Sequence, residues 1–150
     1  MARRALAFAR EYVFEALVLA AVVFTQADVW TNLDEDRNRT AAIALFTAGA
    51  LLLRRRAPFA APLVVAAGAF AFTLLDRGAA YETDTMFVVL ILAAWAAGSL
   101  LDVRQAGVAL AALLAGAWTV FVRAPDVPAT ELIWVSIPLS GTFLLAAASS

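Results

Sequence analysis

Six long apolar runs, separated by brief charged punctuation, dominate this chain. They cover roughly Tyr12–Gln26, Ala41–Leu53, Ala57–Leu75, Met86–Leu101, Ala106–Val122 and Leu132–Ala148. A helix that crosses a bilayer needs about 20 apolar residues, with a range of about 17–25. The third, fifth and sixth runs approach or reach that length. The first does so if it continues to Trp30, and the fourth if it begins near Thr83. Ala41–Leu53 is the short one, since its thirteen residues make only about 20 Å of helix. Arg39 and Arg54 flank it, and their long side chains can snorkel to extend its span.

None of these runs alternates polar with apolar, as barrel strands do. They are continuous and rich in Ala and Leu, which favour helix. Backbone that faces lipid must also satisfy its own hydrogen bonds. The expected fold is therefore an all-α integral membrane protein. It forms one transmembrane domain over residues 1–150, a bundle of about six helices near 11–30, 40–53, 57–75, 84–101, 105–122 and 130–148. The number falls to five if the short second run does not span. Composition supports the same answer. Apolar residues make up 64% and charged residues 15% of the chain, against roughly 45–50% and about 25% in soluble domains. A domain of this size has too little interior to hide that excess.

Absent residue types narrow the chemistry. Without Cys there is no disulfide framework and no thiolate metal site. Without His the commonest metal ligand and the usual neutral-pH base are missing. Every basic residue is Arg, and no basic block suited to nucleic acid occurs. There is no nucleophile–base arrangement, phosphate-binding Gly loop or zinc motif. The chain is thus expected to have no catalytic, cofactor or metal residues, and its expected partner is the lipid bilayer.

Arg placement sets the expected orientation, because short Arg-rich loops stay cytoplasmic. Arg3, Arg4 and Arg10 precede the first run like the charged region of a signal peptide. Glu11 and Glu15 interrupt that pattern, and an uncleaved first helix is expected. With the N-terminus inside, Arg3, Arg4, Arg10, Arg54, Arg55, Arg56 and Arg104 are cytoplasmic. Arg37, Arg39, Arg77 and Arg123 are then outside. Both termini are cytoplasmic in this topology, in a bacterial inner membrane. The polar stretch Asp28–Thr40 is the longest expected loop and lies outside.

Several residues invite a functional reading. Glu15 sits about one turn inside the first run, and a carboxylate near a bilayer centre costs about 2.5–3.5 kcal/mol on insertion scales. It is either a proton or ligand group, or an interfacial acid paired with Arg10 or an Arg of a neighbouring helix. The second reading is favoured. The acidic cluster Asp34-Glu35-Asp36 offers oxygens to a hard cation. It lacks EF-hand spacing and is followed by Arg37 and Arg39, so a solvated loop accounts for it. Trp30 and Trp134 fall at helix ends, where aromatic belts form. Trp95 and Trp118 lie deeper, and each indole N–H needs a partner. Small-residue pairs Ala94/Gly98, Ala111/Ala115 and Ala112/Gly116 have the spacing that lets helices approach closely in lipid. Pro138 lies inside the sixth helix and crowds the Trp134 carbonyl. A kink is expected there, with Ser136 or Ser140 available to satisfy the freed group.

The order of segments resembles a known family. Leu51-Leu52-Leu53-Arg54-Arg55-Arg56-Ala57-Pro58, followed by an Ala/Val-rich helix, is similar to the N-terminal membrane region of actinobacterial sensor histidine kinases. So is Thr83-Asp84-Thr85-Met86-Phe87 opening a helix that closes on Ala96-Ala97-Gly98. Pro125-Asp126-Val127-Pro128 leading into Leu132-Ile133-Trp134 fits the family's last outer loop and helix. In that family the membrane region precedes a dimerising helix, a phosphoacceptor His and an ATP-binding domain. None of these occurs in these 150 residues, and the sixth run lacks an Arg cluster at its end. The resemblance implies a homodimeric sensor and anchor for a two-component kinase, with catalysis elsewhere. The alternative is a small integral membrane subunit of a transporter or envelope complex, with no signalling role.

Overall fold

A computed structural model describes residues 2–32, 37–75, 85–123 and 128–149, and all regular structure among them is helical. Helix α1 covers Ala2–Asn32. Helix α2, Arg37–Ala50, runs directly into a 3₁₀ turn over Leu51–Arg55. Helices α3 (Ala60–Leu75), α4 (Thr85–Gly98), α5 (Val103–Arg123) and α6 (Thr130–Ser149) follow. Three stretches are long and apolar enough to cross a membrane: Tyr12–Thr31, Val103–Arg123 and Thr130–Ser149. Ala60–Leu74 and Met86–Gly98 are apolar but shorter.

The boundaries differ from expectation in two informative places. The polar stretch Asp28–Thr40 is mostly helical, because α1 continues through Asn32 and α2 starts at Arg37. Side chains secure both ends. The Thr31 hydroxyl donates to the Ala27 carbonyl at 2.8 Å. Gln26 Nε2 donates across to the Ala41 carbonyl at 3.0 Å, tying the end of α1 to the start of α2. The second difference lies after Ala50, where the helix tightens. The Leu53 carbonyl accepts from both Arg56 N and Ala57 N, each at 2.9 Å. Pro58 disfavours helical geometry at Ala57, and α3 begins only at Ala60. The acidic cluster Asp34-Glu35-Asp36, Thr83 and Asp84, and Asp126 and Val127 lie outside the described residues.

Helix α4 is the hub and packs on every other helix. Its Val89, Ala93, Ala94 and Ala97 are fully buried, as expected of a helix that is apolar all round. The interior mixes alanines with a few large side chains such as Phe72, Met86 and Leu113, and many bulky apolar side chains remain outside. Ala44, Ala48, Ala69, Ala109 and Ala117 fill the interior, while Phe46, Val23, Leu144, Leu145 and Ile137 face outward. Soluble proteins of this size rarely expose contiguous apolar patches of more than a few hundred Å². Here the bulky outer side chains suit contact with lipid tails, and the small inner ones let backbones approach.

That approach is closest at two glycines. A Cβ on Gly98 would overlap the Phe143 carbonyl oxygen of α6. At Gly116 it would sit 2.9 Å from the Ala66 carbonyl oxygen of α3. Of the small-residue pairs, Ala94/Gly98 therefore lies buried at the α4–α6 contact, and Gly116 seats α5 on α3. Ala111 and Ala115 instead face outward. Buried hydroxyls are served within their own helices. Thr25 donates to Val22 at 2.9 Å, Thr47 to Ile43 at 2.6 Å and Thr73 to Phe70 at 2.6 Å, each to a backbone carbonyl.

Gly98→Val and Gly116→Val should each lower stability by about 1–3 kcal/mol, the usual cost of overpacking. Gly107→Ala, with nothing within 4 Å of the new atom, should be neutral or slightly stabilising. Unfolding by a denaturing detergent, followed by loss of helical signal, measures all three. Equal stability of the Gly98, Gly116 and Gly107 variants would contradict this packing.

Candidate functional site

The helices run antiparallel in sequence, so the start of α1, the Leu51–Arg55 turn, the end of α4 and the end of α6 share one end of the bundle. Glu15 lies there, one turn into the apolar part of α1, with its side chain 20% exposed. Its Oε1 accepts from Arg55 Nε at 2.9 Å and from Arg54 Nη2 at 3.3 Å. The 3₁₀ turn supplies both arginines, because three residues per turn splay neighbours widely around the axis. The Arg54 guanidinium lies 3.6 Å over the Phe14 ring, and that of Arg55 lies 5.3 Å from the Tyr12 ring centre. Contacts of this kind are worth about 0.5–1 kcal/mol when exposed and more when desolvated. Arg56, next in sequence, is exposed.

Glu15 is thus paired with arginines from the α2–α3 connection. Arg10, the other partner considered from sequence, lies outside the described side chains. Among the described residues, two guanidinium groups meet this one carboxylate oxygen. The second oxygen, Oε2, is buried with no hydrogen-bond partner among the described residues.

A groove of about 520 Å³ opens beside this cluster. It forms because α1 and α6 both pack on α4, while no comparable packing joins α1 to α6. Phe14 and Leu17 of α1 form one wall, Ile91 and Trp95 of α4 the floor, and Thr142 of α6 the other wall. Arg54 stands at its charged end. Trp95 therefore lines an open groove at 38% exposure rather than packing in a core.

The other singled-out residues lie apart from it. Trp118 Nε1 donates to Ser136 Oγ at 3.0 Å, and that hydroxyl donates to the Leu132 carbonyl at 2.6 Å. This chain of bonds pins α5 to α6 one turn before Pro138. Ser136 therefore serves Leu132 and Trp118, and not the Trp134 carbonyl that Pro138 deprives of its usual donor. Trp134, 69% exposed, faces outward from α6. Trp30 likewise faces outward from the far end of α1.

Nothing matches the chain among protein-family models, curated proteins or solved structures. The likeness to kinase sensor regions rests on the sequence motifs quoted above.

Two structural residues escaped the sequence reading. Gln26 bridges α1 and α2, and its signal was an amide at the end of an apolar run. Asp102 caps α5, its Oδ1 accepting from Arg104 N at 2.8 Å. An Asp just before an apolar run is a recognisable helix start.

Replacing Glu15 tests the cluster. Glu15→Gln should reduce stability by about 1–3 kcal/mol, the value of a hydrogen bond to a charged group, with residual exposure keeping it toward the lower figure. Arg56→Gln should change little. Combining Glu15→Gln with Arg55→Gln should cost less than the sum of the single changes, as coupled residues do. Strict additivity would show that the pair contributes nothing.

Proposed function

We propose that this chain is a six-span membrane domain with both termini on the cytoplasmic side of a bacterial inner membrane. In this reading it senses and anchors, passing a ligand or bilayer signal through α6 to a kinase core as in the sensor histidine kinases it resembles. It carries no catalytic residues of its own. The observation that carries the membrane part is the exposed apolar surface, Val23, Phe46, Ile137, Leu144 and Leu145 among it, on a chain with three helices of spanning length.

The short helices fit this reading once the 3₁₀ turn is included. From Arg39 to Arg54 the backbone rises about 25 Å, at about 1.5 Å per α residue and about 2.0 Å per 3₁₀ residue. Snorkelling arginines at both ends bring that close to the roughly 30 Å hydrocarbon core. α4 is shielded by its neighbours and needs less apolar length of its own. α6 supports the signalling part. It forms one wall of the groove, carries Pro138 near its midpoint, and is the last helix before any following domain. A bend with two nearby states is the kind of element that a small packing change can bias.

The orientation can be tested directly, because the chain has no Cys. Cysteines placed at Asp36 and Arg56 should label oppositely in intact cells with a membrane-impermeant thiol reagent, Asp36 reacting and Arg56 protected. Labelling of Arg56 alone would invert the topology. The reading frame beyond Ser150 then tests the signalling part. A dimerisation helix with a phosphoacceptor His supports it, and a stop codon there refutes it while leaving the membrane domain intact.

A further inference from the structure

The groove between α1 and α6 is apolar along most of its length and cationic at one end. Phe14, Leu17, Ile91 and Trp95 offer ring and alkyl surface, and Ser99 and Thr142 add hydroxyls. Among the described residues that line it, Arg54 is the only charged group. A guanidinium has five N–H donors. Among the described residues Arg54 uses them on Glu15 Oε1 alone, at 3.3 Å. Arg55 holds the same carboxylate oxygen more closely, at 2.9 Å, so most of the Arg54 donors are left for a further acceptor. The site therefore has an anion-binding head and a hydrocarbon-binding body.

That charge pattern complements one class of occupant. We propose that the groove is a binding site for an anionic phospholipid of the inner leaflet, with its phosphate at Arg54 and an acyl chain along Leu17, Ile91 and Trp95. A volume of about 520 Å³ is within the usual range of small-ligand sites, about 300–1,000 Å³. Planar, multi-donor arginine matches phosphate oxygens well. A zwitterionic lipid would bring its own cation toward the arginines and gain less. The inference rests on membrane embedding, and not on any link to a kinase.

Trp95 reports the groove directly. In a chain with Trp30, Trp118 and Trp134 changed to Phe, its fluorescence is read in vesicles containing acyl-brominated phosphatidylglycerol or acyl-brominated phosphatidylcholine at equal mole fraction. Bromine quenches on contact. Quenching should favour phosphatidylglycerol by about fivefold in apparent affinity, the factor that roughly 1 kcal/mol from one arginine–headgroup contact supplies. A chain retaining only Trp134, at the opposite end, should show no such preference. Arg54→Gln should abolish the preference at Trp95. Because that change also disturbs Glu15, Thr142→Phe provides a second route, filling the groove with Arg54 intact and lowering quenching by both lipids. Equal quenching of Trp95 by the two lipids would overturn the proposal. So would an unquenched Trp95 beside a quenched Trp134, which would place a second copy of the chain over the groove. No quenching at either position would refute membrane embedding itself.

Discussion

Close approach of helix backbones is what the rest of this bundle depends on. Inside a bilayer, lipid tails are as apolar as leucine, so burying a large side chain between helices brings little hydrophobic gain. Packing must come from many short contacts between surfaces that fit. Gly98, against Phe143, and Gly116, against Ala66, are two glycines packed directly on the backbone of another helix. The fully buried alanines of α4 extend that fit along the hub. Many bulky side chains, Phe46, Ile137, Leu144 and Leu145 among them, are left on the outside, a surface suited to lipid. The hydroxyls of Thr25, Thr47 and Thr73 bond to carbonyls of their own helices, and single bonds from Gln26 and Trp118 join neighbouring helices.

The exception is the charged cluster at one end. Glu15 lies where α1 enters its apolar stretch, and alone it would be costly there. The tightening of the chain after Ala50 brings Arg54 and Arg55 onto it. One local conformational change thus ends α2, starts the turn toward α3 and fixes α1 to both. The same arrangement leaves α1 standing off from α6, which creates the groove. Fold and candidate site are joined there: α1 and α6 each pack on α4, and the ion pair ties α1 to the turn after α2.

Much of this was legible in the sequence. Continuous Ala- and Leu-rich runs specify helices, and among the described residues five of the six α-helices contain a stretch apolar enough to show up by hydropathy alone. Glu15 stood out because a carboxylate in such a run demands a partner, and the choice of an Arg from a neighbouring helix could be posed from residue types. Which Arg it meets could not, since that depends on the 3₁₀ turn. Trp118 needed an acceptor on chemical grounds, yet Ser136 becomes that acceptor only through the rotation of α5 against α6. Ala111/Ala115 and Ala112/Gly116 share one spacing, and only the packing shows that Gly116 faces α3 while Ala111 and Ala115 face outward. Spacing identifies a stripe and not the neighbour that covers it. The groove had no sequence signature, because it arises from two helices failing to touch.

The central claim is that the bulky apolar outer faces meet lipid. Nitroxide labels along α6 in reconstituted vesicles test it most directly. At Ile137, Leu144 and Leu145, all more than half exposed, collisions with oxygen should be frequent and collisions with a water-soluble nickel chelate rare. At Leu139, fully buried, both should be rare. Frequent nickel collisions at Leu144 and Leu145, matching those at Asp36 in the polar connection, would place this face in water and contradict the account.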